Sequence, residues 1–178
     1  MKETPAEAAA ILTKGSAALD ALFSRLSADA AEARGTIGGG AWSARDLAGH
    51  IETWEEVALR TIDDIREGRR PRIRDTVTDE ASLDLFNAAE VERKAPQGWE
   101  ETLTSFRATN AHLVATIRTI SEEDWEREAP GAEGDRVVTF GEQIGSNTGM
   151  PEYPFRHAWA HLGDLEAFVQ AATEGPAP

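Results

Sequence analysis

Hydrophobic positions near the start of the chain recur at three- and four-residue steps. Ile11, Leu12, Gly15, Ala18, Leu19, Leu22, Phe23 and Leu26 form one such series, which predicts an amphipathic helix of roughly two dozen residues that ends before the turn-rich segment 34–40. A second helix opens at Trp42 and Ser43, where Ser43 can cap the first turn and Asp46 can reach back as a shortened capping box. Its apolar stripe is Leu47, Ile51, Trp54, Ala58, Ile62 and Ile65. Breaks at Gly68 and Pro71, then at Pro96 and Gly98, isolate a short helix around 81–93 within a long crossover. Trp99, Leu103, Phe106, Asn110, Leu113, Ile117 and Ile120 mark a third long helix, followed by a short acidic turn over 121–125.

From Pro130 to Pro151 the turn-forming residues predict an irregular connection with one extended piece over 136–140. The last helix is expected to start near Pro154, whose fixed φ suits a first turn. Phe155, Trp159, Leu162, Glu166 and Val169 would share one stripe, with His157, His161, Leu165 and Phe168 on the adjoining one. Residues 173–178 read as a frayed tail. Four long amphipathic helices with little strand signal give an all-α four-helix bundle, an architecture that builds metal sites from facing helices.

Composition adds boundaries to this picture. A chain of 178 residues suits one domain, 1–178, with a continuous core. Its 40% hydrophobic and 28% charged residues are an ordinary globular balance and argue against disorder. The net charge of -14 predicts no nucleic-acid partner, because such binding rests on clustered cations. No stretch approaches the roughly 18 apolar residues of a membrane span, and the first ten residues lack a signal peptide's apolar segment, so a cytoplasmic protein is expected. The expected partners are a small-molecule substrate and a second copy of the chain in a homodimer, with no membrane. Cysteine is absent, so any metal must be held by nitrogen and oxygen, and any thiol must come from a cosubstrate.

Three of the four histidines then draw attention. His157 and His161 stand four apart, one turn on a helix face, and His50 borders the buried stripe of the second helix. Facing helices could gather them around one ion. A chance pair on a solvated face, with His50 hydrogen-bonded at the core edge, accounts for the same spacing. The protease motif is absent, since the residue after His157 is Ala158 and not glutamate.

Trp42, Ser43, Asp46, Leu47 and His50, followed much later by His157 and His161 entering a Leu- and Glu-rich helix, resemble the DinB-like superfamily. Phe86-Asn87-Ala88 and the segment 121–125 also fit it. These are bacterial four-helix bundles related to the N-terminal domains of mycothiol-dependent maleylpyruvate isomerases. The resemblance implies an up-down-down-up order with the crossover between the second and third long helices, and His50, His157 and His161 as metal ligands. It implies a divalent ion, zinc or nickel first and iron or manganese next, that activates water or a small thiol in a transferase, isomerase or hydrolase. A non-catalytic bundle in which the ion only ties helices together is the alternative. Members differ in reaction, so fold does not give function.

Tyr153, the only tyrosine, and Glu55 are the candidate catalytic groups, as hydrogen-bond donor and as base. Solvation is nonetheless the simpler expectation for Glu52, Glu55 and Glu56, since none lies four residues from His50, and also for Asp164. Arg66, Arg69, Arg70, Arg72 and Arg74 are expected to complement a helix C-terminus in preference to forming an anion site.

Overall fold

The computed structural model describes residues 3–34, 37, 41–131, 137–150 and 152–174. Ten helices are described: α1 (Pro5–Phe23), α2 (Ala28–Glu32), α3 (Ala44–Arg66), α4 (Ile73–Thr76), α5 (Glu80–Lys94), α6 (Trp99–Ile117), α7 (Glu122–Glu126), α8 (Phe140–Asn147), α9 (His157–Ala160) and α10 (Leu162–Glu174). Among the described residues there is no strand, only isolated bridges such as Glu128 with Thr139. The protein is all-α. α6 packs against both α3 and α1, α10 and α9 lie against α1, and α5 and α8 lie against α3.

Local chemistry sets the helix ends. Thr4 and Glu7 form a reciprocal capping box on α1, with Pro5 in its first turn. On α3, Ser43 Oγ accepts from Asp46 N–H at 3.0 Å while the Asp46 carboxylate accepts from Ser43 N–H at 3.1 Å. Both residues are buried, so no water replaces a lost partner. Ser43→Ala is therefore expected to cost about 1 kcal/mol, read as a melting temperature roughly 2–4 °C lower; an unchanged value would show that the cap does not hold α3.

Two apolar clusters form the core. One joins Leu12, Ile62, Leu113 and Ile117 to Phe140 and Ile144 of α8. The other joins Leu19, Phe23, Leu47, Ile51, Leu103 and Phe106 to Leu165, Phe168 and Val169 of α10. A polar layer lies between them at the same level of three helices: Ser16 on α1, Glu52 and Glu55 on α3, and Asn110 on α6, all buried. Asn110 Nδ2 donates to Glu55 Oε1 at 2.6 Å, and the buried Lys94 ammonium meets Glu52 Oε2 at 2.7 Å. The expected solvation of Glu52 and Glu55 is thus wrong. Their face of α3 is turned to α5 and α6, because a helix in the middle of a bundle has little solvent face to offer.

The C-terminal third departs furthest from the sequence reading. The connection from Pro130 to Pro151 is interrupted by α8, whose cap Thr139 and third residue Glu142 form another capping box; residues 132–136 and 151 lie outside the described set. The extended piece shrinks to one bridge, with Ala129 N–H donating to the Val138 carbonyl at 2.8 Å. The acidic turn is the one-turn helix α7. Pro154 does not start the last helix. Phe155 follows it at φ 63°, a left-handed conformation that no helical turn contains, and the chain becomes helical only at His157. A break at His161 then separates α9 from α10. The buried face of α10 is Leu165, Phe168 and Val169, whereas Trp159 and Glu166 are exposed. The tail beyond Glu174 and most of the turn 34–40 fall outside the described residues.

Candidate metal centre

His50 sits near the capped start of α3, and His157 begins α9, where its backbone N–H donates to the Thr148 carbonyl at 2.9 Å. These anchors bring the imidazoles together. His50 Nε2 lies 3.0 Å from His157 Nε2, and His161 Nε2 lies 3.2 Å from the same atom. The three ligand atoms all fall within 4.8 Å of one another. An ion with Zn–N bonds of the usual length, held tetrahedrally, sets its ligand nitrogens about 3.3 Å apart. Two pairs are already near that spacing, so the donor set fits a borderline divalent ion. Among the described residues no carboxylate joins the three as a fourth ligand.

The surroundings keep these rings uncharged. Burial pushes His157 down to about 3, with the charge of His161 acting in the same direction. Burial, then His157 and His161, hold His50 well below the ordinary histidine range. Burial also lowers His161, with Asp164 opposing it. Neutral imidazoles present lone pairs, the form in which histidine ligates metals. Indoles enclose the centre: Trp42 lies 4.7 Å from His50 between ring centroids, and Trp54 lies 6.5 Å from His157.

The three rings open on a cavity of about 1110 Å³. Its walls include Trp42, Trp54 and Trp125, Phe155, and the amides of Asn87 and Gln143. Neither candidate catalytic group reaches it. Glu55 is turned to Asn110 on α6, and Tyr153 is 64% exposed; neither is part of the cavity wall. Asp164 is exposed, as expected, and so are His112 and Trp159. Gln143 escaped the sequence reading, and Asn87 entered it only within the Phe86-Asn87-Ala88 phrase, without a role at the site. Thr139 and Glu142, three apart in a capping pattern, were the signal that would have placed α8 and with it Gln143.

The arginine cluster is occupied within the fold. The buried Asp64 carboxylate accepts from Arg69 Nη2 at 2.9 Å and from Arg72 Nε at 3.1 Å. Burial opposes its ionisation, but these hydrogen bonds hold Asp64 below the usual carboxylate range. Arg70 pairs with Asp75, and Arg66 donates to Thr119. The cluster therefore joins the end of α3 to the crossover.

The sequence pattern of the DinB superfamily matches residues 5–149. The chain belongs to the DinB superfamily. That match includes His50 and ends before His157 and His161, so the pair rests on the geometry above. No curated protein matches the sequence. Solved structures share the fold at low identity. An uncharacterised protein from Escherichia coli UTI89 superposes with a TM-score of 0.75 at 18% identity, covering 96% of this chain and 95% of that one. The colibactin self-resistance protein ClbS, in complex with a dsDNA, gives 0.73 at 18%, covering 94% and 98%. The mycothiol-dependent maleylpyruvate isomerase gives 0.67 at 16%, covering 92% of this chain and 61% of that enzyme.

The ClbS complex overturns the expectation that nucleic acid is excluded. A fold neighbour is seen with dsDNA, and a charge summed over the whole chain does not fix the charge of any one face. Among the described residues, no helix is long and apolar enough to cross a membrane.

Proposed function

We propose that this DinB-superfamily protein is a metal-dependent enzyme in which His50, His157 and His161 hold a divalent ion, zinc or nickel in preference to iron or manganese, facing a small-molecule substrate. The supporting observation is the convergence of three uncharged imidazoles at the wall of a large cavity, with no fourth protein ligand among the described residues. Such an ion supplies Lewis acidity, which brings water or a small thiol into its nucleophilic form near neutral pH. The chain's own contribution is orientation and dryness. α3 and α9 fix the imidazoles, Trp42 and Trp54 shield them, and the open side leaves room for a cosubstrate thiol, which a cysteine-free chain cannot provide itself. The reaction class is thiol transfer, isomerisation or hydrolysis. We read α1, α3, α6 and the last helical segment, α9 with α10, as an up-down-down-up bundle forming one domain over the whole chain.

Protein purified without chelator should carry about one equivalent of a divalent ion per chain, and the variant with all three histidines changed to alanine should carry none. In the cobalt-loaded protein, 2-mercaptoethanol should then produce a thiolate-to-metal charge-transfer band. Equal metal content in parent and variant would refute the site. Bound metal that never yields the band would favour an ion that only ties α3 to α9.

A further inference from the structure

Among the described residues, three side-chain amides share the cavity with the imidazoles, those of Asn87, Gln143 and Asn147. The Asn147 NH2 donates to Thr61 Oγ1 at 2.7 Å, and for the other two the partner of each fixes which end it presents. Trp54 Nε1–H donates to Asn87 Oδ1 at 3.0 Å. An indole is a donor only, so Asn87 must give it oxygen and keep its NH2 for the cavity. Arg74 Nε donates to Gln143 Oε1 at 2.8 Å. A guanidinium is also a donor only, so the Gln143 NH2 is likewise turned from its partner. Neither NH2 group has a hydrogen-bond partner among the described residues.

Gln143 is only 4% exposed, so its amide is part of the wall and not a surface group. Asn87 comes from α5 in the crossover and Gln143 from α8, the element absent from the sequence reading. Asn87 stands one indole away from the metal centre, because the Trp54 ring it binds is the one 6.5 Å from His157. Donors of fixed orientation that face a ligand acceptor give selectivity, because an analogue without that acceptor leaves them unmatched.

We infer that Asn87 and Gln143 form a carbonyl-recognition pair that determines specificity: they bind the acceptor oxygen of a small molecule whose other end reaches the imidazoles. That other end rests on the function proposed above. Among the described residues, the cavity is bordered by four carboxylates, Glu3, Glu126, Glu142 and Glu152, against one guanidinium, Arg74, a balance that favours an uncharged amide carbonyl over a carboxylate.

The test uses zinc-loaded, nitrogen-15-labelled protein and three probes: N-acetylcysteamine, with a thiol and an amide carbonyl; 3-mercaptopropionate, with a thiol and a carboxylate; and 1-propanethiol, with a thiol alone. N-acetylcysteamine should bind about tenfold more tightly than 1-propanethiol and shift both side-chain NH2 resonances. Asn87→Asp and Gln143→Glu keep the oxygen that faces Trp54 or Arg74 and remove the donor. Each should lose roughly fivefold of that preference, read as the ratio of N-acetylcysteamine to 1-propanethiol affinity within the same variant. Tighter binding of 3-mercaptopropionate than of N-acetylcysteamine would overturn the choice of an amide. NH2 resonances that stay still on N-acetylcysteamine addition while the imidazole signals move would overturn the pair and leave the metal reading intact. NH2 resonances that move while no thiol perturbs the imidazoles would uphold the pair and remove the metal–thiol reading.

Discussion

Zinc added to chelator-stripped protein at 100 times its dissociation constant should raise the melting temperature by roughly 5–10 °C, and His157→Ala should abolish the rise. Binding at that excess stabilises the folded state by about 2.7 kcal/mol, and each kcal/mol moves a chain of this size by roughly 2–4 °C. On the proposed function His157 should be the decisive ligand, because its Nε2 is the atom that both other rings approach, at 3.0 and 3.2 Å. Proton linkage provides a second readout. The folded His157 takes up a proton only near 3, against 6.5 for an unperturbed ring. In metal-free protein the unfolded state therefore binds more protons between those values, so stability is full above about 6.5 and falls as pH drops through this window. At pH 7 the rings have no protons to surrender, so calorimetric heats in buffers of different ionisation enthalpy should show release of at most one proton per zinc, from metal-bound water. A full zinc-induced rise in His157→Ala would place the ion elsewhere.

Glu55→Gln should stabilise the protein at pH 8 by on the order of 2 kcal/mol, or roughly 4–8 °C, with little change at pH 5. Burial pushes the Glu55 carboxyl up to about 8 from 4.5, Asn110 opposes the rise through its hydrogen bond, and Glu52 adds to it. The folded value is the higher one, so unfolding releases a proton between about 4.5 and 8. The parent's stability is accordingly full below that window and declines as pH rises through it. Glutamine keeps an oxygen for Asn110 and has no proton to release, so the variant's denaturation midpoint should lack this decline. Parallel pH profiles for parent and variant would mean that Glu55 is ionised in the folded protein and that Lys94 neutralises it.

The long helices and the three imidazoles were legible because each carries its own local signal. Periodic apolar positions gave α1, α3 and α6, the Ser43–Asp46 pair gave a helix start, and spacing with the superfamily resemblance singled out His50, His157 and His161. What depended on tertiary contacts was not legible. Glu52 and Glu55 look like solvated acids beside Glu56 until α5 and α6 close over them with Lys94 and Asn110. α8 is short, contains two glycines and lies among turn residues, so its periodicity is too brief to notice. The proline rule placed the last helix three residues early, because it does not register that Phe155 must reverse the chain to bring His157 to the end of α8.

That reversal makes position 155 a site of conflicting demands. Its ring is buried and stacked on Trp125, with centroids 5.8 Å apart and planes at 20°, and only an aromatic residue supplies that contact. Its backbone at φ 63° suits glycine or asparagine and strains every aromatic. No natural amino acid meets both requirements, so an exchange at 155 that relieves the backbone loses the ring, and only another aromatic, equally strained, keeps the contact. A mutational scan scored on activity alone would rank Phe155 with the ligands. Scored on folding as well, the same scan would mark it as a hinge whose irreplaceability is architectural.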